Sequence, residues 1–247
     1  MVMEYAVKNG YCHLVPDKVP LSENLTVPDA DERYLGDDQV RAVLRAVCNN
    51  PKYSTFLQLL WATGMRQEEA FALRMDDFKI IKDGMVEVSI YKTVVEVERY
   101  VYAVRERTKT KASKRKICIP DKIYEIVKAY YEDCIRNETP LQKQARKDND
   151  YEGYIFLNSK MKPYNKRTFE RNFSDYLKRN GIDFRVTLHM FRHVFVSNMA
   201  EDVSLDKVSK MIGDSLATTN AIYQSLSNRT HAEICKKVLE KHNELEK

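Results

Sequence analysis

Residues Thr187–Tyr223 read TLHMFRHVFVSNMAEDVSLDKVSKMIGDSLATTNAIY, and the rest of the chain is best read outward from them. His189, Arg192 and His193 fall within one helical turn, with Phe191, Val194, Phe195 and Val196 filling the gaps. Helical residues three and four apart share a face, so the three polar side chains project together. That face offers a guanidinium fork and two imidazoles, a donor set suited to the non-bridging oxygens of a phosphate. Taken alone, such a cluster is more often a structural patch of ion pairs and hydrogen bonds. After a turn marked by Gly213, Asp214 and Ser215, the stretch ends on Tyr223, whose phenol can fold back and attack a held phosphorus. A second cationic anchor elsewhere would favour the phosphate site over the structural patch.

Arg66 supplies that anchor, in WATGMRQEEAFALRMDDF, directly after a glycine that ends one apolar helix. Thr63, Gly64, Arg66, Glu69, Leu73, Arg74 and Asp77 form one box, and His189, Arg192, His193, Phe195, Ile212, Gly213, Ser215 and Tyr223 form a second. In residue types, order and spacing the pair resembles the tyrosine recombinase (phage-type integrase) family, over about Tyr34 to the C-terminus. The resemblance implies a mixed α+β, mainly helical, integrase-like DNA breaking-rejoining core. It implies site-specific DNA recombination, the integration or excision of a mobile element, by transesterification through a covalent 3′-phosphotyrosine. Arg66 and Arg192 would hold the phosphate, Tyr223 would attack it, and His189 would act as base, since a tyrosine phenol keeps its proton at neutral pH. A hairpin lysine would return a proton to the leaving 5′-hydroxyl. The T-K-T context points to Lys109, with Lys111 as runner-up. Double-stranded DNA is the implied partner, a tetramer on DNA joined through the C-terminal helix the implied assembly, and neither metal nor cofactor is implied.

At 247 residues the chain has room for one large domain or two small ones. With 43% hydrophobic and 31% charged residues it reads as soluble and globular, and a net charge of +5 hints at an anionic partner without proving one. Cys12, Cys48, Cys118, Cys134 and Cys235 are scattered, with no C-x-x-C pair, which suggests neither a disulfide framework nor a zinc site and fits a reducing compartment. No apolar run approaches the roughly 20 residues that span a bilayer, and no signal-peptide core opens the chain. A cytoplasmic location is expected.

Residues 1–33 hold Pro16, Pro20, Pro28 and an acidic DADE run, the marks of a linker or the remnant of a preceding core-binding domain. Residues 34–247 are expected to be the catalytic domain. Val40, Val43, Leu44 and Val47 repeat at helical spacing with Asp37 or Asp38 as N-cap. A second helix runs from Pro51 to Thr63 and stops at Gly64. A third is expected from Arg66 to Arg74, where Arg66 either meets an anion or pairs with Glu69. From Phe78 to Ile119 the period changes to alternation, and a small three-stranded antiparallel sheet is predicted. Its last connection, RERTKTKASKRK at 105–116, carries Arg105, Arg107, Lys111, Lys114, Arg115 and Lys116. Together with His193 these are the candidate DNA-binding residues, although a charge run is usually a solvated face. A helix is expected from Pro120 to Asn137, a mobile polar loop over 138–152, and helices over Lys166–Asn180 and Arg229–Glu246.

Asp214 departs from the family pattern, which has His or Trp after the glycine. A carboxylate accepts hydrogen bonds and repels a phosphate. It would be protonated near the phosphate, accept from the Tyr223 hydroxyl, or point away. Rival functions are a DNA-binding regulator of the same fold that no longer cuts, a type IB-like topoisomerase, and a metal-dependent hydrolase built on His189 and His193. The last lacks a nearby carboxylate cluster.

Overall fold

Two helices pack against each other at the centre of the molecule. The computed structural model describes residues 34–81, 84–106 and 114–224. Helix α1 (Asp37–Val47) buries Val40, Val43 and Val47, and α2 (Pro51–Thr63) buries Tyr53, Phe56, Leu57, Leu59 and Leu60. Asn50 caps α2 by accepting from the Tyr53 N–H at 3.1 Å, Pro51 follows at the first position, and Gly64 ends the helix at φ +58°. A side chain at Gly64 would run into the ring of Phe195. That close approach seats α2 against α7 (Leu188–Asp202), which buries Leu188, Phe191, Val194, Phe195 and Val196. The N-cap of α1 falls one residue before the expected aspartates, at Gly36, whose N–H donates to the Gln39 side chain at 2.9 Å.

The expected helix over 66–74 is a single turn, α3 (Gln67–Ala70), followed by a 3-10 turn at Met75–Asp77. Its extension is prevented by long-range pairing of this backbone: the Ile155 N–H bonds Leu73 O at 3.1 Å and the Met75 N–H bonds Gly153 O at 2.9 Å.

The β-region divides in two. Strands β1 (Phe78–Ile80), β2 (Met85–Ile90) and β5 (Arg115–Pro120) make an antiparallel three-stranded sheet in the order β1-β2-β5. Strands β3 (Lys92–Glu98) and β4 (Val101–Glu106) form a separate hairpin. The predicted three-stranded sheet exists, but residues 92–106 are an insertion between two of its strands. The basic connection therefore joins hairpin to sheet instead of closing one sheet. Alternation in β2 and β5 buries Val86, Val88, Ile90, Ile117 and Ile119 over α4 (Asp121–Arg136) and α2.

The stretch expected as a mobile loop contains α5 (Pro140–Asp148). Thr139 accepts from the Gln142 N–H at 3.3 Å while Gln142 Oε1 takes the Thr139 N–H at 3.0 Å, a capping box with proline at the first position. A buried Arg146–Glu138 ion pair holds the far end. Helices α6 (Lys166–Arg179) and α8 (Leu205–Ile212) and a helical stretch over 216–224 complete the described residues. Arg107, Lys109, Lys111, the linker expected over 1–33 and the helix expected over Arg229–Glu246 lie outside the described residues. Among the described residues no helix is long and apolar enough to cross a membrane.

Candidate functional site

The carbonyls that end two helices build the site. Gly64 closes α2 and Gly213 closes α8, both in the left-handed region that L side chains rarely adopt. Arg192, on the buried face of α7, donates from Nη1 to Gly64 O and from Nη2 to Ile212 O, the latter at 3.1 Å. One guanidinium thus ties the ends of α2 and α8 together from beneath. Its side chain is only 1% exposed, so the charge needs an anion close by.

That anion is Asp214. Its Oδ2 lies 2.6 Å from Arg192 Nη2, and its Oδ1 is hydrogen-bonded to Arg66 Nη2. Burial pushes the Arg192 guanidinium below its ordinary value and Asp214 opposes the shift; an arginine stays charged regardless. None of the three arrangements expected for Asp214 describes this bridge between both arginines. Arg66, at 30% exposure, is the outer arm of the clamp, and Arg192 is the inner one.

Glu69 sets the outer arm. Its side chain, fully buried, accepts the Arg66 backbone N–H at 2.8 Å and Arg66 Nη1 at 3.4 Å. Arg115 forks onto the same carboxylate at 3.0 and 2.7 Å and donates from Nε to Met211 O at 2.8 Å. Arg115, expected from the sequence to face DNA, instead turns inward onto Glu69, with its side chain 6% exposed. The signal was in the sequence, because Arg115 shares the strand parity of the buried Ile117 and Ile119. Sequence reasoning also missed Lys92, buried 2.8 Å from Asp77 at the end of the first box.

His189 packs its ring edge-on to His193 with centroids 4.6 Å apart, and His193 rests against Tyr34 at 5.1 Å. His193 is half-buried in this stack. His189 keeps one side open to solvent, yet loss of water around the ring and the Arg192 cation hold it below its ordinary value of 6.5. The imidazole is therefore neutral at pH 7, as a base must be. Below that ordinary value the unfolded chain binds the extra proton more readily, so this group costs stability as pH falls. His189→Gln is expected to flatten the loss of stability as pH falls below about 6.5, as read from urea midpoints at successively lower pH.

Tyr223 is half-buried in the helical stretch over 216–224, which Thr219 anchors by donating from its hydroxyl to Ser215 O at 3.1 Å. Arg105, Lys114 and Lys116 are exposed on or beside the strands, with Lys114 3.7 Å from Glu106 and Lys116 2.7 Å from Glu87. The structure thus unites Arg66, Arg192 and Asp214 directly and brings His189 to their edge. Among the described residues no three or more His, Cys, Asp or Glu side chains are grouped so as to hold a metal ion.

The family model described as the phage integrase family matches residues 33–229. The chain belongs to the phage integrase family. The integrase of Staphylococcus phage L54a is 28% identical over 236 residues, covering 91% of this chain and 64% of that one. Tyrosine recombinase XerC of Chlamydia pneumoniae is 24% identical over 182 residues, covering 72% of this chain and 49% of that protein. This phage integrase family member thus spans about half to two thirds of the length of these relatives. In fold it is similar to the Tn1549 transposon integrase in complex with a circular intermediate DNA (TM-score 0.66, 17% identity, 93% of this chain and 75% of that chain). It is also similar to XerA recombinase (TM-score 0.58, 17% identity, 92% and 71%). These likenesses establish the mainly helical fold with its small antiparallel sheets.

Proposed function

We propose that residues 34–247 act as the catalytic domain of a tyrosine recombinase, which cuts and rejoins double-stranded DNA at specific sites to integrate or excise a mobile element. The observation that carries this reading is the convergence of Arg66 and Arg192, from opposite parts of the chain, on one carboxylate. Two guanidinia positioned to share one anion are suited to the non-bridging oxygens of a phosphodiester. Family membership and the DNA complex of the Tn1549 integrase support DNA as the partner.

In the proposed reaction Arg66 and Arg192 stabilise the charge that develops on phosphorus, and His189 takes the proton from the Tyr223 hydroxyl. The Tyr223 oxygen forms a bond to phosphorus as the bond to the 5′-oxygen breaks. The 5′-hydroxyl leaves with a proton from the hairpin lysine, Lys109 or Lys111. Attack by a 5′-hydroxyl on the phosphotyrosine reverses these steps and rejoins DNA. The exposed Arg105, Lys114 and Lys116 add backbone attraction, each neutralised phosphate steepening the salt dependence by about 0.9 in log–log slope. Assembly as a tetramer through the C-terminal helix and a cytoplasmic location belong to the same proposal. The seating of Asp214 between the arginines favours one second reading, a DNA-binding relative that no longer cuts.

A nicked suicide duplex separates the two. The full chain is expected to give a covalent adduct on a denaturing gel that Tyr223→Phe abolishes. Intact binding without any adduct would favour the non-cutting regulator.

A further inference from the structure

The carboxylate of Asp214 sits where the proposed function needs a phosphate to sit. Its two oxygens go to different arginines, Oδ1 to Arg66 and Oδ2 to Arg192, as two non-bridging oxygens of one phosphodiester would. We propose that Asp214 is a built-in occupant of the phosphate seat, one that neutralises the two guanidinia and must be displaced before a phosphodiester can engage them. The inference rests on the reading of Arg66 and Arg192 as the phosphate-holding pair.

Three observations support displacement over permanent residence. Asp214 stands at a short junction between two helices: the Gly213 N–H that caps α8 bonds Ser209 O at 2.9 Å, and the next helix opens with the Thr218 N–H on Ser215 Oγ at 3.1 Å. The pivot is Gly213 at φ +71°, which has no side chain to repack. Withdrawal of Asp214 also leaves the inner arm in place, since Arg192 keeps the carbonyls of Gly64 and Ile212. The outer arm likewise keeps Glu69. A phosphate entering from the more exposed Arg66 side therefore meets a clamp that stays assembled. Carboxylate and phosphate cannot both remain, because like charges at contact in a partly buried site repel strongly.

Inorganic phosphate is the probe, titrated at constant ionic strength into the full chain and into Asp214→Asn, with thermal unfolding as readout. At roughly 50 mM phosphate the unfolding midpoint of Asp214→Asn is expected to rise by about 3 °C or more, against less than about 1 °C for the parent chain. Calorimetric titration should give at least about tenfold tighter phosphate binding by the variant. Equal shifts in both proteins, or a shift in neither, would overturn the proposal. If Asp214→Asn is unfolded without phosphate, recovery of structure on adding phosphate supports it, and failure to recover overturns it. The readout involves no DNA cleavage, so it stands or falls separately from the covalent adduct at Tyr223.

Discussion

Glu69→Gln is expected to destabilise the chain by about 3–5 kcal/mol, the range for breaking a buried ion pair from one side. Glu69 is fully buried and neutralises Arg115, whose side chain is 6% exposed, while receiving both the backbone and the guanidinium of Arg66. An amide has the same size but cannot be the anion for Arg115. It leaves that guanidinium with the Met211 carbonyl and a weakened partner. The exposed Lys116–Glu87 pair is the contrast: its loss should stay within about 1 kcal/mol. Urea unfolding with an unchanged slope and a lowered midpoint is the signature, and a midpoint within error of the parent chain would refute the role given to Glu69.

Arg192→Lys carries the largest expected effect on chemistry. Lysine keeps the charge, but its single ammonium cannot hold Gly64 O and Ile212 O with a planar fork while presenting a donor to a phosphate. The first-turnover rate of adduct formation on a nicked substrate should fall by about 10²–10³, the range for losing one well-placed donor to transition-state charge. DNA affinity should change much less, because most of it comes from contacts to many phosphates. A parallel loss of binding and rate would move Arg192 from chemistry to structure.

Much of this architecture was legible because it is local. The period of Val40, Val43 and Val47, the Asn50–Pro51 start and Gly64 stop of α2, and the alternation of Val86, Val88 and Ile90 each follow from neighbours in sequence. The division into two sheets was not, since β3 and β4 alternate like any strand and only long-range pairing separates them. Helix α5 was legible but overlooked: Thr139, Pro140 and Gln142 spell a capping box inside a polar segment. Arg115 lies among six other cations in residues 105–116, and only strand parity distinguishes it as inward-facing. The two arginines of the candidate site stood out from the boxes that carry them. The bridge at Asp214 did not, because its partners come from α7 and from the residue before α3, and no local pattern around Gly213 reports on either.

In the proposed reaction Tyr223 takes the DNA phosphate while Arg66 and Arg192 hold it. The most direct test is to trap the adduct on a suicide duplex, digest it with protease and nuclease, and locate the nucleotide-bearing peptide by mass spectrometry. A nucleotide joined through its 3′-phosphate to Tyr223 is the expected result. A nucleotide on any other residue, or one joined through a 5′-phosphate, would contradict it.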